Sequence, residues 1–171
     1  MRKRILIIDT SILMVWLQVP GKETCGSDSD RWDYARVAAK SKQEENLGTT
    51  FVLPLATIIE AGNHIAQCGE QRYQKAQVFS EMVLNALDEK TPWAAFSQQD
   101  QLWQKDNLIA LINRWRAEVV RAEHSLGDAS IVDVANYYSQ MNYSVEILTG
   151  DFGLKAYEPT SEYIPPRRGR K

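Results

Sequence analysis

The sequence predicts an α/β fold built on a parallel sheet, and three observations carry that reading. Ile5-Leu6-Ile7-Ile8 is an apolar run that ends on Asp9, and Ser144 to Thr149 is a second strand-like run that ends on Gly150-Asp151. Thr49-Thr50-Phe51-Val52-Leu53 is a third, rich in β-branched and aromatic residues and halted by Pro54. Short apolar runs bounded by polar residues suit strands buried on both faces. The stretches between them have helical spacing, and strands that alternate with helices imply parallel pairing through right-handed crossovers.

Each element follows from its residues. After the first strand, Ile12 to Leu17 reads as a helix that stops at Pro20-Gly21, and a loop rich in Gly, Ser and Asp runs through Asp30. A second helix is expected over 31–46. Past the Thr49–Pro54 strand, helical patterns cover 57–68 and 71–89, and Trp93-Ala94-Ala95-Phe96 is the only candidate for a further short strand before the next helix. From Leu102 to Ala122, Leu108, Leu111, Ile112, Trp115, Val119 and Ala122 step by three and four, the pattern of one buried helix face. A last helix runs from Asp128 to about Met141.

Composition bounds the class. At 171 residues, with 44% hydrophobic and 25% charged residues, the chain suits one globular domain with a sizeable core. The opening Met1-Arg2-Lys3-Arg4 and its apolar run are not a signal peptide, because Asp9 interrupts the run and no small-residue cleavage site follows Pro20. Cys25 and Cys68 are far apart and lack paired Cys/His spacing, so neither a disulfide framework nor a zinc site is indicated, and a cytoplasmic location with no membrane contact is expected. The net charge of −2 hides an asymmetry. Arg167, Arg168, Arg170 and Lys171 crowd the last five positions, leaving residues 1–166 with 16 basic against 22 acidic. A domain over 1–160 and a basic tail over 161–171 are expected, the tail following Pro165-Pro166 as an arm suited to phosphate contacts or as a solubilising end.

Four carboxylates recur where the carboxyl ends of parallel strands would lie, the edge at which ligands of open α/β sheets collect. Asp9 ends the first strand, Glu60 sits in Thr57-Ile58-Ile59-Glu60, Asp128 opens the last helix, and Asp151 follows Thr149-Gly150. Each has a purely structural alternative. Asp9 suits a turn, Thr57-x-x-Glu60 and Ser125-x-x-Asp128 fit capping boxes, and Asp151 fits a cap. Caps alone do not explain four acids gathered at one rim, where like charges repel. A divalent cation removes that conflict, and hard oxygen ligands suit Mg²⁺ or Mn²⁺. Ions so held can polarise a phosphodiester and activate water without a covalent nucleophile. No Walker-type phosphate loop, GxSxG elbow or cysteine nucleophile motif competes with this reading.

The strand-ending Ile-Ile-Asp-Thr-Ser, the Thr-Ile-Ile-Glu segment, the Leu-Gly-Asp-Ala-Ser-Ile helix start and the closing Ile-Leu-Thr-Gly-Asp-Phe resemble, in order, the four acidic motifs of PIN domains. The resemblance covers residues 5 to about 155. It implies a three-layer α/β/α sandwich, an endoribonuclease dependent on Mg²⁺ or Mn²⁺, and Asp9, Glu60, Asp128 and Asp151 as metal-binding, catalytic acids. Ser11 and Thr149 match positions where the family carries a supporting hydroxyl. It also implies single-stranded RNA as substrate, and because the family includes toxins of bacterial toxin–antitoxin pairs, it leaves open an antitoxin protein and a homodimer as partners.

Other residues fill in the picture. Asn63 shares a helix face with Glu60 and could orient it. Asp133, at i+5 from Asp128, points about 140° away around the helix, which makes it a supporting or structural acid. His64 follows Glu60 by four but as a lone helix histidine reads as packed or exposed. Among Trp16, Trp32, Trp93, Trp103 and Trp115, Trp115 belongs to the apolar stripe, and base-stacking roles for the rest stay open. The segments 21–48 and 99–122 make the chain larger than a compact toxin. Two other readings remain: a PIN-like module that binds nucleic acid or protein without hydrolysis, and a haloacid-dehalogenase-type phosphatase, whose usual second Asp is Ser11 here.

Overall fold

The computed structural model describes residues 2–94, 96–122 and 124–160. It is a three-layer α/β/α sandwich around a four-stranded parallel sheet. The strands are β1 (Arg4–Ile8), β4 (Thr50–Val52), β5 (Trp93–Ala94) and β6 (Ser144–Leu148), in the order β5-β4-β1-β6. A separate two-stranded antiparallel hairpin pairs β2 (Thr24–Cys25) with β3 (Trp32–Asp33).

The central strand β1 shows why both faces need cover. Leu6 and Ile8 join a core with Phe51, Leu53 and Leu148, covered by α1 (Thr10–Trp16), α2 (Tyr34–Asn46), α3 (Leu55–Ala66) and α4 (Arg72–Leu87). Ile5 and Ile7 face the other way, into a core with Val52, Val145 and Ile147 under α6 (Leu126–Gln140) and α7 (Phe152–Lys155). Alternate residues of one strand thus feed two cores. The register sets Ile8 beside Leu148, so Asp9 and Thr149 leave the sheet side by side.

A polar network braces the opposite end of the sheet. Glu44 on α2 accepts from Arg4 at 3.0 Å and Lys40 at 2.8 Å, and from the Thr49 hydroxyl, while Lys40 also reaches Glu146 at 2.9 Å. Burial pushes the Glu44 carboxyl up, but these hydrogen bonds together outweigh it and hold it at about 2. The outer edge of β6 is closed by side chains: Ile147 N–H donates to Glu158 Oε2 at 2.8 Å and Lys155 Nζ donates to Ile147 O at 2.9 Å.

Three expectations need correction. Residues 31–46 are not one helix: Trp32–Asp33 form β3, which pairs back onto Thr24–Cys25, and α2 starts at Tyr34 with Asp33 accepting from Arg36 N at 2.8 Å. Gly26 makes that hairpin possible, with φ of +89° and Asp30 O where a side-chain carbon would go. The stripe of α5 (Lys105–Ala122) is only half covered. Leu111 is buried, but Ile112 is 44% exposed, because α5 packs as an outer helix on α6 and not against the sheet. Thr57 does not cap a helix. α3 starts at Leu55 after Pro54, so Thr57 lies inside it and donates instead to Ile8 O at 3.0 Å. The Trp93-Ala94 candidate is a strand, β5, parallel to β4. Residues 161–171, with the four basic tail positions, lie outside the described residues.

Candidate active site

Asp9 stands at the carboxyl end of the central strand, 5% exposed, and caps α1 by accepting from Ser11 N. Two hydroxyls converge on its Oδ2: Ser11 Oγ at 2.7 Å and Thr149 Oγ1 at 2.8 Å. Each hydroxyl is itself oriented by a backbone donor, Gly150 N at 3.0 Å onto Ser11 and Asp151 N at 2.9 Å onto Thr149. Burial pushes the Asp9 carboxyl up, the hydroxyl bonds pull it down, and the negative charge of Asp128 adds to the rise.

The other acids are tied to Asp9 through short links. Thr10, the next residue, donates its hydroxyl to Glu60 Oε2 at 2.8 Å. The Glu60 carboxylate also lies against Gly127 in the first turn of α6, where it leaves no room for a side chain. Asp128 follows Gly127 and forms a full capping box, accepting from Ser125 N at 2.9 Å and Ser125 Oγ at 2.8 Å while Ser125 Oγ accepts from Asp128 N. Asp151 caps α7, its Oδ1 accepting from Gly153 N at 2.7 Å and Leu154 N at 3.2 Å. The fold therefore brings the four acids to one rim, and three of them also act as caps.

Asn63 is exposed on α3 and His64 half-buried. Asp133 is placed elsewhere: it pairs with Arg114 at 2.7 Å across the α5–α6 contact, where burial pushes its carboxyl up against the pull of Arg114. Trp16 and Trp93 stack on each other beside Phe51, Trp32 is buried, and Trp115 Nε1 donates to His124 O at 3.0 Å.

Three neighbours of the rim were not foreseen. A side-chain carbon on Gly153 would lie 3.1 Å from Asp151 Oδ1 and 3.5 Å from His124 Nε2, so His124 borders Asp151. Cys25 of the hairpin sits on Gly150, beside Ser11, and burial pushes its thiol up, with the charge of Asp9 acting in the same direction. Phe152, the residue after Asp151, is 88% exposed. The only sequence signals were the position of His124 just ahead of the Ser125 cap and of Phe152 just after a candidate acid.

The donor chemistry fits a hard divalent cation, since the rim offers carboxylate and hydroxyl oxygens and a buried Asp9 whose charge is disfavoured by burial and by Asp128. Among the described residues no three His, Cys, Asp or Glu side chains group closely enough to ligate one ion. Comparison with protein-family models, curated proteins and solved structures finds no match. Among the described residues no helix is long and apolar enough to cross a membrane.

Proposed function

We propose that this protein is a metal-dependent endoribonuclease of the PIN type. The observation that carries the proposal is the linkage of four acids at the carboxyl ends of a parallel sheet, with buried Asp9 electrostatically coupled to Asp128. Asp9 and Asp128, with Glu60 and Asp151 beside them, would hold Mg²⁺ or Mn²⁺. Such an ion supplies Lewis acidity toward a phosphodiester and a bound water of lowered pKa. Ser11 and Thr149 fix the rotamer of Asp9, Thr10 fixes Glu60, and the hairpin packs on Gly150 beside them. Every acid is oriented before substrate arrives, and such pre-orientation lowers the cost of assembling the reactive geometry. The preference for RNA rests on the resemblance to PIN domains alone.

A second reading, a nucleic-acid-binding module without hydrolysis, is favoured by one observation: Asp128 and Asp151 are each satisfied as caps. The experiment that separates the two is cleavage of end-labelled single-stranded RNA with and without Mn²⁺ or Mg²⁺, comparing wild type with Asp9→Asn and Asp151→Asn. Metal-dependent cutting lost in both variants supports the nuclease. Inert wild type supports the module, and equal cutting by all three proteins rejects the four-acid site.

A further inference from the structure

A groove of about 420 Å³ opens beside Asp151, between the β2–β3 hairpin, the outer edge of β6 and α7. That volume lies within the range of small-ligand sites. Phe152 stands in its lining, 88% exposed, so its ring is open to a partner. Trp32 also lines it.

The charges of the groove narrow the ligand further. Asp30, Glu146 and Asp151 line it, against a single basic lining residue, Lys155, whose ammonium is already engaged by Ile147 O and by Glu158 at 2.6 Å. The Arg36 guanidinium, 3.7 Å from the Trp32 ring centroid, is paired with Asp30 at 2.7 Å. Lys155 and the neighbouring Arg36 are both engaged, so among the described residues the lining offers a phosphate no free cation and Asp151 would repel it, whereas a flat neutral ring would meet the exposed Phe152 ring.

We propose that this groove seats one nucleobase of a single-stranded RNA, stacked on Phe152, next to the phosphate handled at Asp151. The inference rests on the nuclease reading for its placement of Asp151 at the scissile phosphate, but not for the base contact itself. Stacking on one aromatic ring is sequence-tolerant, because every base has a π-face. Phe152 therefore acts in holding the strand and leaves the choice of target to other contacts.

The test uses the full chain and a short single-stranded RNA carrying the fluorescent adenine analogue 2-aminopurine, titrated in EDTA with wild type, Phe152→Ala and Phe152→Tyr, with cleavage in Mn²⁺ measured in parallel. Because Phe152 is 88% exposed, both variants should melt as the wild type does. Quenching of the analogue by wild type and Phe152→Tyr, with binding about tenfold or more weaker in Phe152→Ala, supports the groove. Equal affinity of wild type and Phe152→Ala, or weakening by Tyr as large as by Ala, overturns it. Phe152-dependent binding without cleavage retains the groove and ends the nuclease reading. Metal-dependent cleavage indifferent to Phe152 does the reverse.

Discussion

The Glu60 carboxylate rests directly on Gly127, filling the space a side chain at 127 would occupy. The contact holds Glu60 near the first turn of α6, where the unpaired N–H groups of a helix start favour negative charge, and leaves its other oxygen with Thr10. Gly127→Ala should therefore displace Glu60 while improving the intrinsic helix propensity at that position by about 1 kcal/mol. Melting temperature is expected to stay close to wild type while RNA cleavage falls at least tenfold. Unchanged cleavage would show that Glu60 is not needed where the structure puts it.

Gly150 presents the contrasting case. A side-chain carbon there would lie 2.6 Å from Cys25 Sγ and 2.8 Å from the backbone N of Gly26, and backbone cannot swing aside as the end of a glutamate can. Gly150→Ala is expected to destabilise by about 1–3 kcal/mol through overpacking and to lift the hairpin. Faster reaction of Cys25 with a thiol reagent, measured in a Cys68→Ala background, checks the lifting; unchanged kinetics would place the strain elsewhere.

Asp9 carries a stability signature. Its folded carboxyl is raised by burial and by Asp128, so its contribution is fully present below the unfolded pKa and is lost as pH rises through the folded one. Ionised Asp9 thus weakens the metal-free fold at neutral pH. Asp9→Asn, whose amide oxygen can still accept from Ser11 and Thr149, should melt at or above wild type in EDTA at pH 7, the gap closing as the solution is acidified. Mn²⁺ at about a hundredfold its Kd should then stabilise wild type by about 2.7 kcal/mol and Asp9→Asn by much less. Equal shifts would remove Asp9 from the proposed metal site.

Glu44 behaves in the opposite sense. Held at about 2 against an ordinary value of 4.5, its carboxylate contributes stability that is present above the unfolded pKa and lost as pH falls from about 4.5 towards 2. Glu44→Gln leaves Arg4 and Lys40 facing a neutral group and should cost about 3 kcal/mol at pH 7, with the difference from wild type narrowing through that acid window. Denaturant midpoints measured from pH 7 to pH 3 test both the size and the sign.

Apolar runs, helical spacing and turn residues made the layers legible: β1, β4, β6 and their helices lie close to where those signals put them. The hairpin was hidden because two-residue strands carry no period, and its pairing depends on a glycine conformation that a Ser- and Asp-rich segment does not reveal. The stripe on α5 misled because helical spacing does not report how fully a face is covered, and packing on α6 leaves Ile112 44% exposed. The four acids were visible as residues, and the parallel topology puts them along one rim, where among the described residues no three group closely enough to ligate one ion. Their links through Thr10 and Gly127 were not visible, since such contacts join positions fifty or more residues apart.

Lys155 and Glu158 have a consequence for how this molecule meets other copies. By occupying Ile147 O and N–H, they give β6 the hydrogen bonds that a neighbouring strand would offer. An uncovered sheet edge is a template for strand addition and aggregation. On the β6 side, at Ile147, charged side chains occupy the groups that a neighbouring strand would pair with, so a strand cannot add there without displacing them.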